Sequence, residues 1–398
     1  MTMPDDRDGV LLLNELRHRD LATAPPPCYD IGAAMRRGDT IVRRHRLLGA
    51  LAAILTVAAA TAVPIALTTK ARTGVPAIGP ATGAPCSVTT ITPPIATYNY
   101  WVDLRIDPTG RYMVGSLTDG PTGVASTQDK LHGASLLYDN DTGAFTRIPG
   151  ADTVAAAVNA SGDVIGAGAQ FGTHAWVYRN GRKTDLPLPS GMAGGRADPM
   201  AINSHGDIVG NVMAGASDPS VYAVRWPADR PGTVEVLGSD SSYAYTITDD
   251  GTVYGMEYGA DGGQPYAWTA PHTGHVVAVP DPHRRNGSIY AVGGRYAIGR
   301  ITGSFNGLDG GVNAMWNLST GTLTAYPAGY YLVATTIDGV AVGNDDTTKT
   351  AFLVRDGVVR SLPRDAPLDF ETAEGMTLDG RKIVGIGEGS NVGIVWRC

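Results

Sequence analysis

A glycine returns along this chain at nearly constant spacing, and that period constrains the fold more than any other feature. It closes seven similar stretches: "LRIDPTGRYMVGS", "AAVNASGDVIGAG", "MAINSHGDIVGNV", "YTITDDGTVYGME", "IYAVGGRYAIGR", "TTIDGVAVGN" and "GMTLDGRKIVGIG". The glycines are Gly115, Gly166, Gly210, Gly255, Gly299, Gly343 and Gly385, separated by 51, 44, 45, 44, 44 and 42 residues. Each stretch reads as an apolar strand, a turn built on Asx or Gly, and a second strand. After a gap of variable length comes a second alternating pattern, as in "HAWVYRNGRKTDLPLP" and "TAFLVRDGVVRSLP", in which "NG" or "DG" marks another hairpin. Two hairpins in about 45 residues make one four-stranded blade. A sandwich leaves no such period and a β-helix a much shorter one. The expected fold is therefore all-β, a seven-bladed β-propeller over residues 86–398. The 52 glycines, 26 prolines and a charged fraction of only 17% agree with a turn-rich β protein.

One four-stranded blade cannot cover both of its faces, so blades must stack in a ring. The large third-strand residues Trp176, Val224, Trp268, Met315, Phe352 and Ile394 are expected to fill the space between blades rather than to form a ligand platform. In "INSHGDIVG" (Ile202 to Gly210) and "HAWVYRNGRKTDL" (His174 to Leu186) the chain resembles the repeats of extracellular bacterial HAF-repeat proteins. Their His-Ala-aromatic triplet stands here as "HAW" in one copy and as "YAW", "TAF", "YAV" or "NAM" in others. The resemblance covers residues 96–398. It implies a secreted or surface propeller-like fold and no activity.

The seventh unit has a third strand, "NVGIVWR", and then the sequence ends without a fourth. A missing outer strand would leave an unpaired edge. Residues 86–94, "CSVTTITPP", have the look of an outer strand and are expected to complete the last blade. Of the three cysteines, Cys28 falls before an apolar run, while Cys86 and Cys398 both fall after it. In the aligned blade these two lie where the turn between third and fourth strands belongs, so a disulfide is expected to replace that turn.

The apolar run, Leu47 to Leu67, is uncharged and long enough to cross a bilayer core. Five arginines lie just before it, between Arg36 and Arg46, and only Lys70 and Arg72 just after. The positive-inside rule then sets residues 1–46 in the cytoplasm, 47–67 as a single-pass transmembrane helix, 68–85 as a linker and the propeller outside a bacterial plasma membrane. A cleaved signal peptide is the alternative, but its charged leader would be unusually long. Residues 1–46 are too short to bury a core. Ten of the 31 Lys and Arg and seven of the 38 acids lie in residues 1–72, which leaves the remainder at net −10. A body so acidic argues against a nucleic-acid partner.

Catalytic motifs are absent: there is no His-Glu-x-x-His, Walker A, Gly-x-Ser-x-Gly or Cys-x-x-Cys. "HTGH" (His272, His275) sits in an expected turn, and Asp139 and Asp141 lack the Gly and Glu of a calcium loop. No catalytic residue, metal site or cofactor is assigned. Binding is expected instead on the loops opposite the tight turns, where Asp119, Asp129, Lys130, Tyr258, Asp261, Gln264, His283, Arg284, Arg285 and Phe305 offer mixed chemistry. Arg284 and Arg285 suit an anionic group. Three functions fit: a membrane-anchored extracellular module binding an unidentified ligand or protein, a propeller hydrolase or lyase acting on an extracellular glycan, and a transmembrane sensor with a cytoplasmic partner.

Overall fold

The computed structural model describes residues 86–398, except for 93, 96–99, 119–132, 151–152, 169–173, 216–217, 261, 281–285, 303–310, 365–369 and 389–391. The cytoplasmic segment, membrane span and linker expected over residues 1–85 lie outside the described residues. Among the described residues no helix is long and apolar enough to cross a membrane.

All the regular elements described are strands, arranged as seven antiparallel four-stranded sheets. In blades 1 to 6 the strands follow chain order from the inside of the ring outward. The inner strands are Tyr100–Ile106, Thr153–Val158, Arg196–Ile202, Ser242–Ile247, Gly287–Gly293 and Tyr330–Thr335. Blade 7 runs from its inner strand Phe370–Met376 through Lys382–Glu388 and Gly393–Arg397. Its outer strand is Ser87–Ile91, paired from Ser87 with Arg397 to Ile91 with Gly393. The ring is thus closed by the start of the domain, as the sequence implies. Cys86 and Cys398 are joined across this seam, 312 residues apart, with Cα atoms 4.1 Å from each other.

In blades 2 and 3 the turn inside the first hairpin is built on an Asn, three residues before a Gly. In blade 2, Asn159 Oδ1 accepts the N–H groups of Ser161 and Asp163, both at 3.0 Å, while its amide donates to the Asn203 carbonyl of blade 3 at 3.0 Å. Asn203 in turn donates to the Thr248 carbonyl of blade 4 at 3.2 Å. One side chain therefore caps its own turn and ties its blade to the next.

Among the described residues the buried apolar side chains form seven clusters; six straddle a boundary between blades, and the seventh, in blade 5, meets blade 4 through the half-buried Tyr254, Val277 and Val279. Val114 and Ile148 of blade 1, for example, pack on Ala155, Val164 and Trp176 of blade 2. At the seam, Trp101, Leu104 and Leu136 of blade 1 pack on Val384, Ile386 and Val395 of blade 7. The core of this protein is the set of interfaces between blades, not the interior of any one of them.

The third-strand row differs from the sequence expectation in register. Opposite the repeating glycines stand Leu136, Trp176, Val224, Tyr266, Ala314, Phe352 and Ile394. Trp268 is two residues further along, and Met315 points to the other face and is only half-buried. The large aromatic row lies at that further position, as Tyr138, Tyr178, Trp226, Trp268, Trp316 and Trp396. Three of its indoles bond to the preceding blade: Trp226 to the Pro187 carbonyl at 2.8 Å, Trp316 to Ala278 at 3.2 Å and Trp396 to Pro363 at 2.8 Å.

Candidate functional site

The repeating glycine and the channel wall are two sides of one device. In every blade the inner strand slips by one residue against its neighbour, which leaves one residue unpaired: Val102, Ala156, Met200, Tyr245, Tyr290, Val333 and Glu374. In blades 2 to 7 the bulge falls directly after the residue paired with the glycine. A Cβ there would overlap an inner-strand carbonyl oxygen: that of Tyr243 at Gly255, Ser288 at Gly299 and Thr372 at Gly385. The backbone approaches so closely that only glycine fits, and the bulge redirects one side chain. All six bulged residues of blades 2 to 7 face a central cavity of about 750 Å³, lined by residues from all seven inner strands.

Blade 1 departs from this pattern. Its bulge comes earlier, between Trp101 and Asp103, and the glycine pairs with Leu104. Val102 is not part of the lining; Asp103 and Arg105 are. Arg105 Nη1 donates to Glu374 Oε2 of blade 7 at 2.6 Å and to the Glu374 carbonyl at 2.7 Å. Asp103 Oδ1 accepts the Ser116 N–H at 2.9 Å. Asp198 of blade 3 also lines the cavity.

These groups titrate unusually. Burial pushes the Asp103 carboxyl up to about 6; Arg105 and the Ser116 N–H oppose the shift and the Glu374 charge adds to it. Asp198 is open to channel water but hemmed in by protein, which raises its pKa too. The Tyr245 hydroxyl is pushed up to about 12, chiefly by burial, with Tyr243 and Tyr258 adding to it. Burial also raises Tyr290, against the opposing Arg300 charge, and its hydroxyl donates to Asn313 Oδ1. Both tyrosines are therefore neutral at physiological pH, whereas Asp103 gains or loses its proton near pH 6.

Of the ten residues the sequence singles out on the loops, the structure describes Tyr258 and Gln264. Asp119, Asp129, Lys130, Asp261, His283, Arg284, Arg285 and Phe305 lie outside the described residues. Tyr258 and Gln264 flank the central turn of blade 4, where Gln264 pairs with Glu257 and Tyr258 with Gly263. Tyr258 is 50% exposed. Its ring meets Tyr243 edge-on at 6.5 Å, and Tyr243 lies parallel to Tyr245 at 6.2 Å. An aromatic strip thus runs from the loop face to the cavity. The sequence reading passed over Asp103, Arg105, Met200, Asp198, Tyr245, Tyr290 and Glu374. The signal was present: where other copies carry Ala or Val in the inner strand, these copies carry a charged or large residue.

Among the described residues no group of three His, Cys, Asp or Glu is placed to hold a metal ion. A second cavity, of about 400 Å³, opens between blades 2 and 3 near their tight turns. Arg179 on its wall is occupied by Asp163 at 2.8 Å and the Gly206 carbonyl at 3.2 Å, which makes it a wedge between blades.

No family model matches the chain, and no curated protein matches it in sequence. Solved structures do match in fold. A catalytically inactive virginiamycin B lyase from Staphylococcus aureus, crystallised with quinupristin, is 12% identical with a TM-score of 0.51, over 79% of this chain and 99% of that one. Oligogalacturonate lyase from Vibrio parahaemolyticus is 9% identical with a TM-score of 0.53, over 80% and 98%. The β-propeller domain of the Trilobed protease from Pyrococcus furiosus, described as having an open velcro topology, is 9% identical with a TM-score of 0.52, over 76% and 94%. At such identities the likeness establishes the propeller and nothing about chemistry.

Proposed function

We propose that this chain is a membrane-anchored, extracytoplasmic propeller that binds a ligand in its central cavity, reached from the loop face. The observation that carries this reading is the row of bulged residues. Six blades each place their bulged residue in the lining of a 750 Å³ cavity, and the six differ: Ala156, Met200, Tyr245, Tyr290, Val333 and Glu374. A volume of this size, mostly apolar with a few placed polar groups, suits a small molecule or one segment of a chain. The anchor rests on the uncharged run 47–67 and its arginine flank. An oxidising compartment is supported by the Cys86–Cys398 pair, and an extracellular HAF-repeat kinship by the "INSHGDIVG" and "HAW" stretches. A thermal-shift screen on the full chain in detergent tests the cavity. Compounds that stabilise the native chain should lose their effect in Met200→Trp, which fills the channel. Hits that persist unchanged in that variant would place binding elsewhere.

One observation favours an enzyme as the second reading. The Asp103 carboxyl titrates near 6, in the range where a general acid or base works best at neutral pH. If the chain turns over a substrate, its rate should follow an ionisation near pH 6 that is absent in Asp103→Asn. A flat profile through that range would remove this reading.

A further inference from the structure

We propose that the central cavity selects an organic cation, an ammonium or guanidinium group carried on a slender apolar or aromatic body. The inference rests on the channel being the binding site and names the chemistry it prefers.

Three observations converge on this class. The first is charge. Among the described residues, Asp103, Asp198 and Glu374 open on the cavity against one cation, Arg105, which is engaged by Glu374 at 2.6 Å. Asp198 has no cationic side chain in ion-pair range among the described residues. The three carboxyl groups of the lining outnumber its one guanidinium, and walls of low dielectric concentrate the resulting field. A ligand that brings a cation restores the balance; one that brings a carboxylate meets Asp198, and Asp103 whose charge Arg105 only partly offsets, and must displace Glu374 to reach Arg105.

The second is the aromatic strip. Tyr245 and Tyr290 stay neutral in the cavity, and Tyr243 and Tyr258 continue from Tyr245 to the loop face. Tyrosine faces attract ammonium and guanidinium groups and also pack against rings and methylene chains. Tyr258, half-exposed at the outer end of the strip, offers a first contact for such a body.

The third is the wall between. Val154, Ala156, Met200 and Val333 give the middle of the cavity small or flexible apolar surfaces. Methionine adapts to bodies of different shape. Charge therefore selects the ligand's head and the apolar wall accepts its body.

Protonation supplies an internal check. The charged groups bearing on Asp103 are Arg105 from its own strand and Glu374 from blade 7, with the Ser116 N–H from the second strand of blade 1. A bound cation favours ionised Asp103, so cation binding strengthens as pH rises through about 6.

The test uses three near-isosteres that differ in charge: 4-phenylbutylamine, 4-phenylbutanol and 4-phenylbutyrate. Each is titrated calorimetrically into the full chain in detergent. The expected order is amine, then alcohol, then acid, with at least tenfold between amine and acid at pH 7. Asp103→Asn and Asp198→Asn should each weaken the amine by about threefold to tenfold and leave the alcohol unchanged. Tyr245→Ala should weaken all three. Affinity for the amine should rise between pH 5 and 7, and affinity for the alcohol should not. Unfolding midpoints of the variants control for folding. Equal affinity across the series, or tightest binding of the acid, overturns the cation class. If that binding is still sensitive to Tyr245→Ala, the channel remains the site. Persistence of the charge preference in the Asp103→Asn/Asp198→Asn double variant also overturns it. If none of the three binds, both the cation class and the channel reading fall.

Discussion

At the scale of single residues, two kinds of glycine stand in these sheets, and they should respond differently to alanine. Gly255 has ordinary backbone angles, but a Cβ would overlap the Tyr243 carbonyl oxygen. Gly143 sits at φ 72° with open space around it. Gly143→Ala should cost about 1 kcal/mol, the price of a left-handed alanine. Gly255→Ala must push the bulged strand away and should cost about 3 kcal/mol or more. Urea unfolding midpoints compare the two directly; equal losses would remove the close-approach explanation. The spacing of these glycines is legible in sequence, but its cause is not, since a bulge belongs to two strands at once. The same gap hid the channel residues. Alternation along "VDLRID" gives no sign that Asp103 and Arg105 line the channel, because the bulge of blade 1 is displaced to Val102. Asp103 also carries a pH signature. Its folded pKa, about 6, lies above the ordinary aspartate value of 3.8, so between these values the folded chain holds a proton that the unfolded chain releases. Stability from this residue is full below about 4 and is lost as pH rises through 6. Asp103→Asn should therefore stabilise the protein at pH 7, by on the order of 1–2 kcal/mol, and flatten the pH dependence of unfolding between 4 and 6. A variant less stable than the native chain at pH 7 would contradict this.

At the scale of strands and hairpins, pairing order was legible throughout, because alternation and the "NG", "DG" and "ASGD" turns fix two hairpins per unit. Register within the third strand was less so. "HAW" and "YAW" look equivalent, yet Trp176 faces its glycine while Trp268 lies one pleat further along. Single-letter similarity cannot resolve a two-residue offset when both positions face the same side. That offset has an energetic consequence. Trp396 is fully buried, and its indole N–H bonds to the Pro363 carbonyl at 2.8 Å. Trp176 is equally buried, but its indole nitrogen has no partner among the described residues. Trp396→Phe should then cost about 1–2 kcal/mol more than the lost ring volume alone, because it leaves the half-buried Pro363 carbonyl without its donor. Trp176→Phe removes a buried N–H that bonds no described group, so it carries only the cost of the lost ring volume and should be the milder of the two. Parallel chemical unfolding of the two variants checks the pair, and the order of the two effects is the decisive reading.

At the scale of the whole ring, closure depends on a strand that the sequence places 312 residues from its partner's end. The count of copies, the missing fourth strand and the position of two cysteines made this closure legible, because an unpaired edge is a physical cost that the chain must meet somewhere. The packing shows why the seam matters beyond one blade. Cys86 and Val88 pack into the cluster shared by blades 6 and 7, while Ile91 packs into the one shared by blades 7 and 1. Loosening Ser87–Ile91 therefore weakens two interfaces at once, on both sides of blade 7. The chain-entropy model gives about 5–6 kcal/mol for a bridge closing so long a loop. The five paired residues behind it already hold part of that closure in the folded ring, so this figure is an upper guide. In the native chain one cysteine of three should react with an alkylating agent before reduction and all three after it. The Cys86→Ser/Cys398→Ser variant should lose several kcal/mol of stability. By hydrogen exchange, Ser87–Ile91 and Gly393–Arg397 should lose protection first, with blades 6 and 1 following and blades 3 and 4 last, since each blade is supported only by its neighbours. Uniform loss of protection around the ring would mean that all seven interfaces open as one unit, and three reactive cysteines before reduction would mean that the seam is held by strand pairing alone.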